Sequence, residues 1–143
     1  MNLRLGDGLN HVKSIYPPLS EWSSWVDPRG RVTRVRVERE AVKSFPKGVQ
    51  TMLLGFKKGS LVDIQVIYDE EYTRGQTYEQ LAVDVSLEYG EPRRTDNRFW
   101  WADGRTVLRV LPAEVPLLRD GVKSIEWRTS IQIVEQGLFK RVD

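Results

Sequence analysis

The chain has no cysteine and a single histidine, His11, among its 143 residues. Without thiols there are no disulfides, no thiolate metal sites and no cysteine nucleophile. With one imidazole, zinc ligation by several histidines is out of reach, and no serine sits in a nucleophile elbow. Also missing is any apolar run near the roughly 18 residues that a membrane span needs. The opening from Met1 to Asp7 has no signal-peptide core. Charge of one sign is scarce too: 22 basic and 20 acidic side chains leave a net charge of +2, too balanced for a general nucleic-acid or membrane-surface binder. The charged fraction of 29% and hydrophobic fraction of 40% are those of an ordinary soluble globular chain. The length suffices for one domain with a sizeable core, or for two small halves sharing one. The lack of cysteine leaves the compartment open, and a periplasmic or secreted location is expected if a signal peptide has been removed.

What the chain does have is a pattern that occurs twice. Residues 5 to 18 and 78 to 92 each give a short amphipathic helix that ends in tyrosine and then proline, followed by strand-like runs between turn signals. Aligned on Tyr16 and Tyr89, Val12 falls on Val85, Leu9 on Ala82 and Leu5 on Tyr78. The expectation is a single domain over 1–143, built from two internal repeats at about 3–75 and 76–143.

In the first repeat, Asp7 is the expected cap of a helix that carries Leu9, Val12 and Tyr16 on one face and stops at Pro17-Pro18. Ser20 to Gly30, with Trp22 and Trp25, reads as a loop with a turn of helix. Strands are expected at Arg31 to Arg39, Val49 to Phe56 and Leu61 to Asp69, the last for the alternation of Val62, Ile64, Val66 and Tyr68 with Asp63 and Gln65. Lys57-Lys58-Gly59 is the expected hairpin between the last two.

In the second repeat, Thr77 and Gln80 match a capping box, and Tyr78, Leu81, Ala82, Val85 and Tyr89 share one helical face before the stop at Gly90 and Pro92. Phe99 to Ala102 and Thr106 to Leu111 read as strands joined through Asp103-Gly104, a hairpin signal whose turn positions favour positive φ. A proline-bounded loop is expected from Pro112 to Pro116, then a turn at Asp120-Gly121. The longest strand is Ser124 to Val134, with Ile125, Trp127, Thr129, Ile131 and Ile133 facing one way and Glu126, Arg128, Ser130 and Gln132 the other.

The expected fold class is therefore α+β: two fused helix-plus-three-strand repeats that form one curved antiparallel sheet, with both helices on one face and the other face open. The run Tyr89-Gly90-Glu91-Pro92, followed by Trp101-Ala102-Asp103-Gly104 and foreshadowed by Tyr16-Pro17-Pro18, resembles the β-lactamase-inhibitor-protein-like architecture. The opening Leu5-Gly6-Asp7-Gly8-Leu9, with Val12 after it, is similar to the helix start of small outer-membrane lipoproteins of the β-barrel assembly machinery. This chain lacks the disulfides of the former and the lipobox cysteine of the latter. The resemblance implies an exported, non-enzymatic protein that binds other proteins through its sheet or loops, and it implies no site residues.

Candidate chemistry is sparse. Gly55 to Ser60 has the look of a phosphate loop but neither its spacing nor its following helix. Asp69, Glu70 and Glu71 are three adjacent acids that do not converge in an extended chain. No pocket is implied for a carboxylate pair such as Glu88 and Glu91, and His11 lies at the edge of a helical face. No cofactor and no metal are expected, and catalysis by carboxylates is the least favoured function. A protein partner is the first expectation and single-stranded nucleic acid the alternative, the latter because Arg29, Arg31, Arg34, Arg36, Arg93, Arg94 and Arg98 neighbour aromatic residues that could stack bases. Adjacent residues of a strand point to opposite sides, so one of Trp100 and Trp101 should lie on the open face. The expected contact surface there is Trp100 or Trp101, ringed by Arg109, Arg128, Ser130 and Gln132, with Trp127 in the core.

Overall fold

A computed structural model describes residues 2–29 and 31–138. Its centre is one eight-stranded antiparallel sheet in the order β1-β2-β3-β4-β8-β7-β6-β5. The strands are β1 (Ser23–Asp27), β2 (Val32–Glu38), β3 (Val49–Lys57), β4 (Ser60–Tyr68), β5 (Arg93–Thr95), β6 (Arg98–Ala102), β7 (Thr106–Arg119) and β8 (Val122–Glu135). Helix α1 (Leu9–Ile15) precedes β1, a 3-10 turn at Arg39–Ala41 follows β2, and α2 (Glu70–Gly75) and α3 (Tyr78–Tyr89) lie between β4 and β5. The class is α+β. Each half runs inward from an outer edge, so the last strands of the two halves, β4 and β8, pair at the middle. No helix among the described residues is long and apolar enough to cross a membrane.

Local chemistry explains most boundaries. The α3 capping box forms, with the Thr77 hydroxyl accepting from the Gln80 amide and the Gln80 side chain accepting from the Thr77 amide. Gly90 ends the helix at φ 87°, a conformation glycine adopts without a steric penalty. The two-residue hairpin turns Lys58-Gly59 and Asp120-Gly121 have positive φ at both positions, the backbone twist that matches flanking strands. At Asp103-Gly104 only the glycine does. There the Asp103 carboxylate instead accepts the amides of Arg105 and Thr106 and makes a three-residue loop.

Several elements differ from the expectation of three strands per half. Ser23–Asp27 is a strand rather than a loop, paired along the whole of β1 with β2. The three exposed residues of β5 pair with β6. The acids after β4 open a helix, with Asp69 accepting the Tyr72 amide at 2.8 Å. Asp7 does not cap α1, whose N-cap is Gly8; its carboxylate accepts the Arg4 amide instead. The segment with Pro112 and Pro116 continues β7 without a break.

The larger apolar cluster joins Val12 and Tyr16 of α1 to Val35 and Val37 of β2, Met52 and Leu54 of β3 and Ile64 and Val66 of β4, with Ile131 and Ile133 of β8 packed against it. A smaller one gathers Val32, Val62, Val107, Val134 and Leu138, with Trp100 against it. Helix α3 lies against β7 and β8. Tyr78 meets Phe99, and the Trp101 indole donates to the Gly90 carbonyl at 2.9 Å.

Candidate functional site

Register decides which side chains share a face. Trp100 is opposite Arg109, Arg109 opposite Gln132, and Gln132 opposite Gln65, so these four form a row across β6, β7, β8 and β4. Trp101 belongs to the other side, in a row with Leu108, Ile133 and Ile64. Both indoles are half-buried. The Arg93 guanidinium sits 5.2 Å from the centre of the Trp100 ring, and Arg94 covers Phe99 in the same way.

The face that holds Trp100 is not an open surface there. Arg109, Arg128, Ser130 and Gln132 are 8%, 7%, 0% and 7% exposed, which corrects the expectation that they face solvent. The cause is a polar chain laid across the strands. Arg109 donates to the Gln132 side-chain oxygen at 2.8 and 2.6 Å, and the Gln132 amide donates to Asp63 at 2.7 Å. The second Asp63 oxygen accepts from Arg34 at 2.6 Å, and Arg34 approaches Asp27 at 3.8 Å. Arg34 can reach Asp63 from two strands away because the intervening residue is Gly55, in register with both. A Cβ there would stand 3.1 Å from the guanidinium and 3.1 Å from the Asp63 Cβ. Ser130 donates to the Leu111 carbonyl, and Arg128 to Glu126. A cavity of about 480 Å³ lies over this chain between Trp25, Leu53 and Leu138. With both Asp63 oxygens engaged, the arrangement binds strands to one another and presents no poised acid or base.

Exposed large apolar side chains lie elsewhere: Leu19 before β1, Trp25 and Val26 on β1, Val83, Leu87 and Tyr89 on α3, and four on the far part of β7 and β8. Beyond Leu111 and Ser130, β7 and β8 keep pairing with each other alone, from Pro112 opposite Thr129 to Arg119 opposite Val122. This two-stranded ribbon carries Leu118, Val122, Ile125 and Trp127 at 69%, 65%, 62% and 53% exposure. Trp127 is thus outside the core, a correction to its expected place. It does keep the expected side: it shares a strand face with Ile131 and Ile133, but the covered part of that face ends at Thr129. The Thr129 hydroxyl donates to the Gln76 carbonyl, and its amide donates to Thr73.

Proline chemistry orients the ribbon. Proline has no N–H for a ladder, so Pro112 and Pro116 occupy positions whose amide would point away from β8. Thr129, in register with Pro112, sends its own amide away from β7 to Thr73, as such a pair requires. At the foot of the ribbon a groove of about 390 Å³ runs between the start of α3, at Tyr78 and Glu79, and Pro112, Trp127 and Thr129.

The alternation in β8 would not have identified the ribbon, since Ile125 and Trp127 continue the pattern of Ile131 and Ile133 without a change. The only signal was the pair of prolines, which made the end of the sheet look like a loop. Among protein-family models, curated proteins and solved structures, none matches this chain.

Proposed function

We propose that the protein is a non-catalytic protein-binding module, and that the β7–β8 ribbon rather than the sheet face is its contact surface. The observation that carries this is the concentration of exposed Leu118, Ile125 and Trp127 on one face of the ribbon, where β7 and β8 pair only with each other, with Val122 exposed on its other face. Exposed apolar residues scattered singly need no explanation, whereas a contiguous group on one ribbon is the usual mark of an interaction surface. Tryptophan is also among the residues that dominate binding energies.

Two related halves remain part of the proposal. The inward-running strand order and the helix that precedes each half's strands support a tandem origin. The row Leu54, Ile64, Ile133, Leu108 and Trp101 meets α1 through the larger cluster and α3 through the Gly90 carbonyl, which supports helices on one common face. A protein-binding role also accords with the resemblance carried by Tyr89 to Pro92 and Trp101 to Gly104. Single-stranded nucleic acid is less favoured, because Arg93 and Arg94 already cover the Trp100 and Phe99 rings that would have to stack bases.

The test is a photo-crosslinking amino acid placed at Ile125, and separately at Lys58 in a distant turn, in cells that make the protein naturally. Polypeptide adducts are expected from position 125 and not from position 58. Adducts from a probe at Arg36, with none from 125, would return the contact surface to the sheet and overturn the assignment.

A further inference from the structure

One face of the ribbon is complementary to itself. Counting from foot to tip, it bears the cross-strand rows Glu114 with Trp127, Pro116 with Ile125, and Leu118 with Lys123, set about 7 Å apart by two residues of strand rise. The middle row is apolar, and each flanking row joins one charged residue to one large apolar one. The two charges are opposite, on different strands, and equally far from the middle row. Glu114 and Lys123 are both exposed, and neither makes an ion pair within the chain among the described residues.

We propose that this face docks on the same face of a second copy, antiparallel, about a two-fold axis through the Pro116–Ile125 row. The idea rests on the ribbon being the contact surface and names its occupant. Under that symmetry Ile125 lies on the partner's Ile125. Lys123 lies over the partner's Trp127 and beside the partner's Glu114, so a cation meets an aromatic face and a carboxylate together. Leu118 covers the stem of the partner's Glu114. The Asp120–Gly121 turn reaches the partner's Pro112–Thr129 row, at the mouth of the groove beside Tyr78. The alternative axis, along the ribbon, gives a parallel docking in which Lys123 approaches the partner's Lys123 and Glu114 the partner's Glu114. Like charges so placed disfavour it. Charge thus selects the antiparallel arrangement, and an isologous contact of this kind closes at two copies.

The experiment is sedimentation velocity of the full chain over a wide concentration range. A monomer–dimer equilibrium is expected. Ile125→Lys, which sets two ammonium groups against each other on the axis, should leave only monomer. Glu114→Lys and Lys123→Glu should each weaken the dimer by about tenfold or more, and the double swap should recover most of that loss. All three positions are solvent-exposed in one copy, so thermal melting by circular dichroism should be unchanged and would separate loss of docking from loss of fold. A chain that stays monomeric at every concentration overturns the self-docking, while crosslinks from position 125 to a different polypeptide would still uphold the binding role. A dimer indifferent to Ile125→Lys, or a double swap that recovers nothing, also overturns it.

Discussion

At the scale of single residues, Gly55 is what allows Arg34 to lie across β3 and reach Asp63. Gly55→Ala should force the guanidinium or the backbone aside and cost about 2 kcal/mol, within the range for overpacked sites. Asp63→Ala removes the acceptor shared by Arg34 and Gln132 and should cost about 3 kcal/mol, the low end for breaking a buried pair because Arg34 keeps some solvent contact. Urea denaturation of the two variants measures both. The same measurement separates two large apolar side chains. Trp127→Ala should change stability by no more than about 0.5 kcal/mol, as for an ordinary surface site. Leu54→Ala, fully buried in the larger cluster, should cost about 2 to 5 kcal/mol. The sequence assigns Trp127 its side of the strand but not its burial. Parity is a local property of the backbone, whereas cover depends on where the neighbouring strand ends. Gln132 and Ser130, and Arg109 through Gln132, were hidden for the mirror-image reason: they lie opposite the apolar set, as their spacing requires, but Asp63 and Gln65 come to Gln132 and Ser130 from a strand 65 or more residues away.

At the scale of elements, the features written in adjacent residues were legible: the Thr77–Gln80 box of α3, the alternation of β4, and the turns Lys58-Gly59 and Asp120-Gly121. What was not legible depended on partners. β1 has four exposed residues in a row, two serines and then Trp25 and Val26, and β5 is three exposed residues, so neither has a buried–exposed alternation. Helix α2 is set by Asp69, whose carboxylate accepts the Tyr72 amide and meets Arg39 at 2.6 Å. Burial works against the Asp69 charge, but those hydrogen bonds outweigh it and hold the carboxyl below its ordinary 3.8. A depressed carboxyl contributes stability that is present above its unfolded value and lost as pH falls through the folded one. Part of the acid destabilisation below pH 3.8 should therefore vanish in Asp69→Asn, as read from urea midpoints across that range. Tyr68 behaves in the opposite sense at high pH. Burial, and then the neighbouring Tyr72 stacked 3.9 Å away, push its phenol up to about 12. Its contribution is complete below the ordinary value of 10.0 and fades as pH rises toward 12. In an alkaline ultraviolet titration Tyr68→Phe should remove the last tyrosine to ionise.

At the scale of the whole molecule, the two halves are unequal in what they bury. Every buried member of the larger cluster falls between Leu3 and Val66, while the smaller one takes Val32 and Val62 from the first half and Val107, Val134 and Leu138 from the second. Two equal repeats sharing one core would leave a fragment ending near Gly75 unfolded. The clusters shift that expectation: residues 76–143 alone should melt without a cooperative transition, and residues 1–75 should retain one at lowered temperature, weakened by the loss of Ile131 and Ile133 beside β4. Calorimetry of the two fragments decides it, and a cooperative transition in the second fragment would refute the dependence. Pro112 and Pro116 act on the molecule as a whole as well. A long, apolar, exposed strand is normally a template for unlimited stacking of further chains, yet β7 offers along its outer edge two positions where an incoming strand would find no donor. The arm can therefore be sticky on its face and inert along that edge. Restoring the missing amides with Pro112→Val and Pro116→Val should leave the fold intact and make the chain form thioflavin-positive fibrils, a hazard these two rings hold in check.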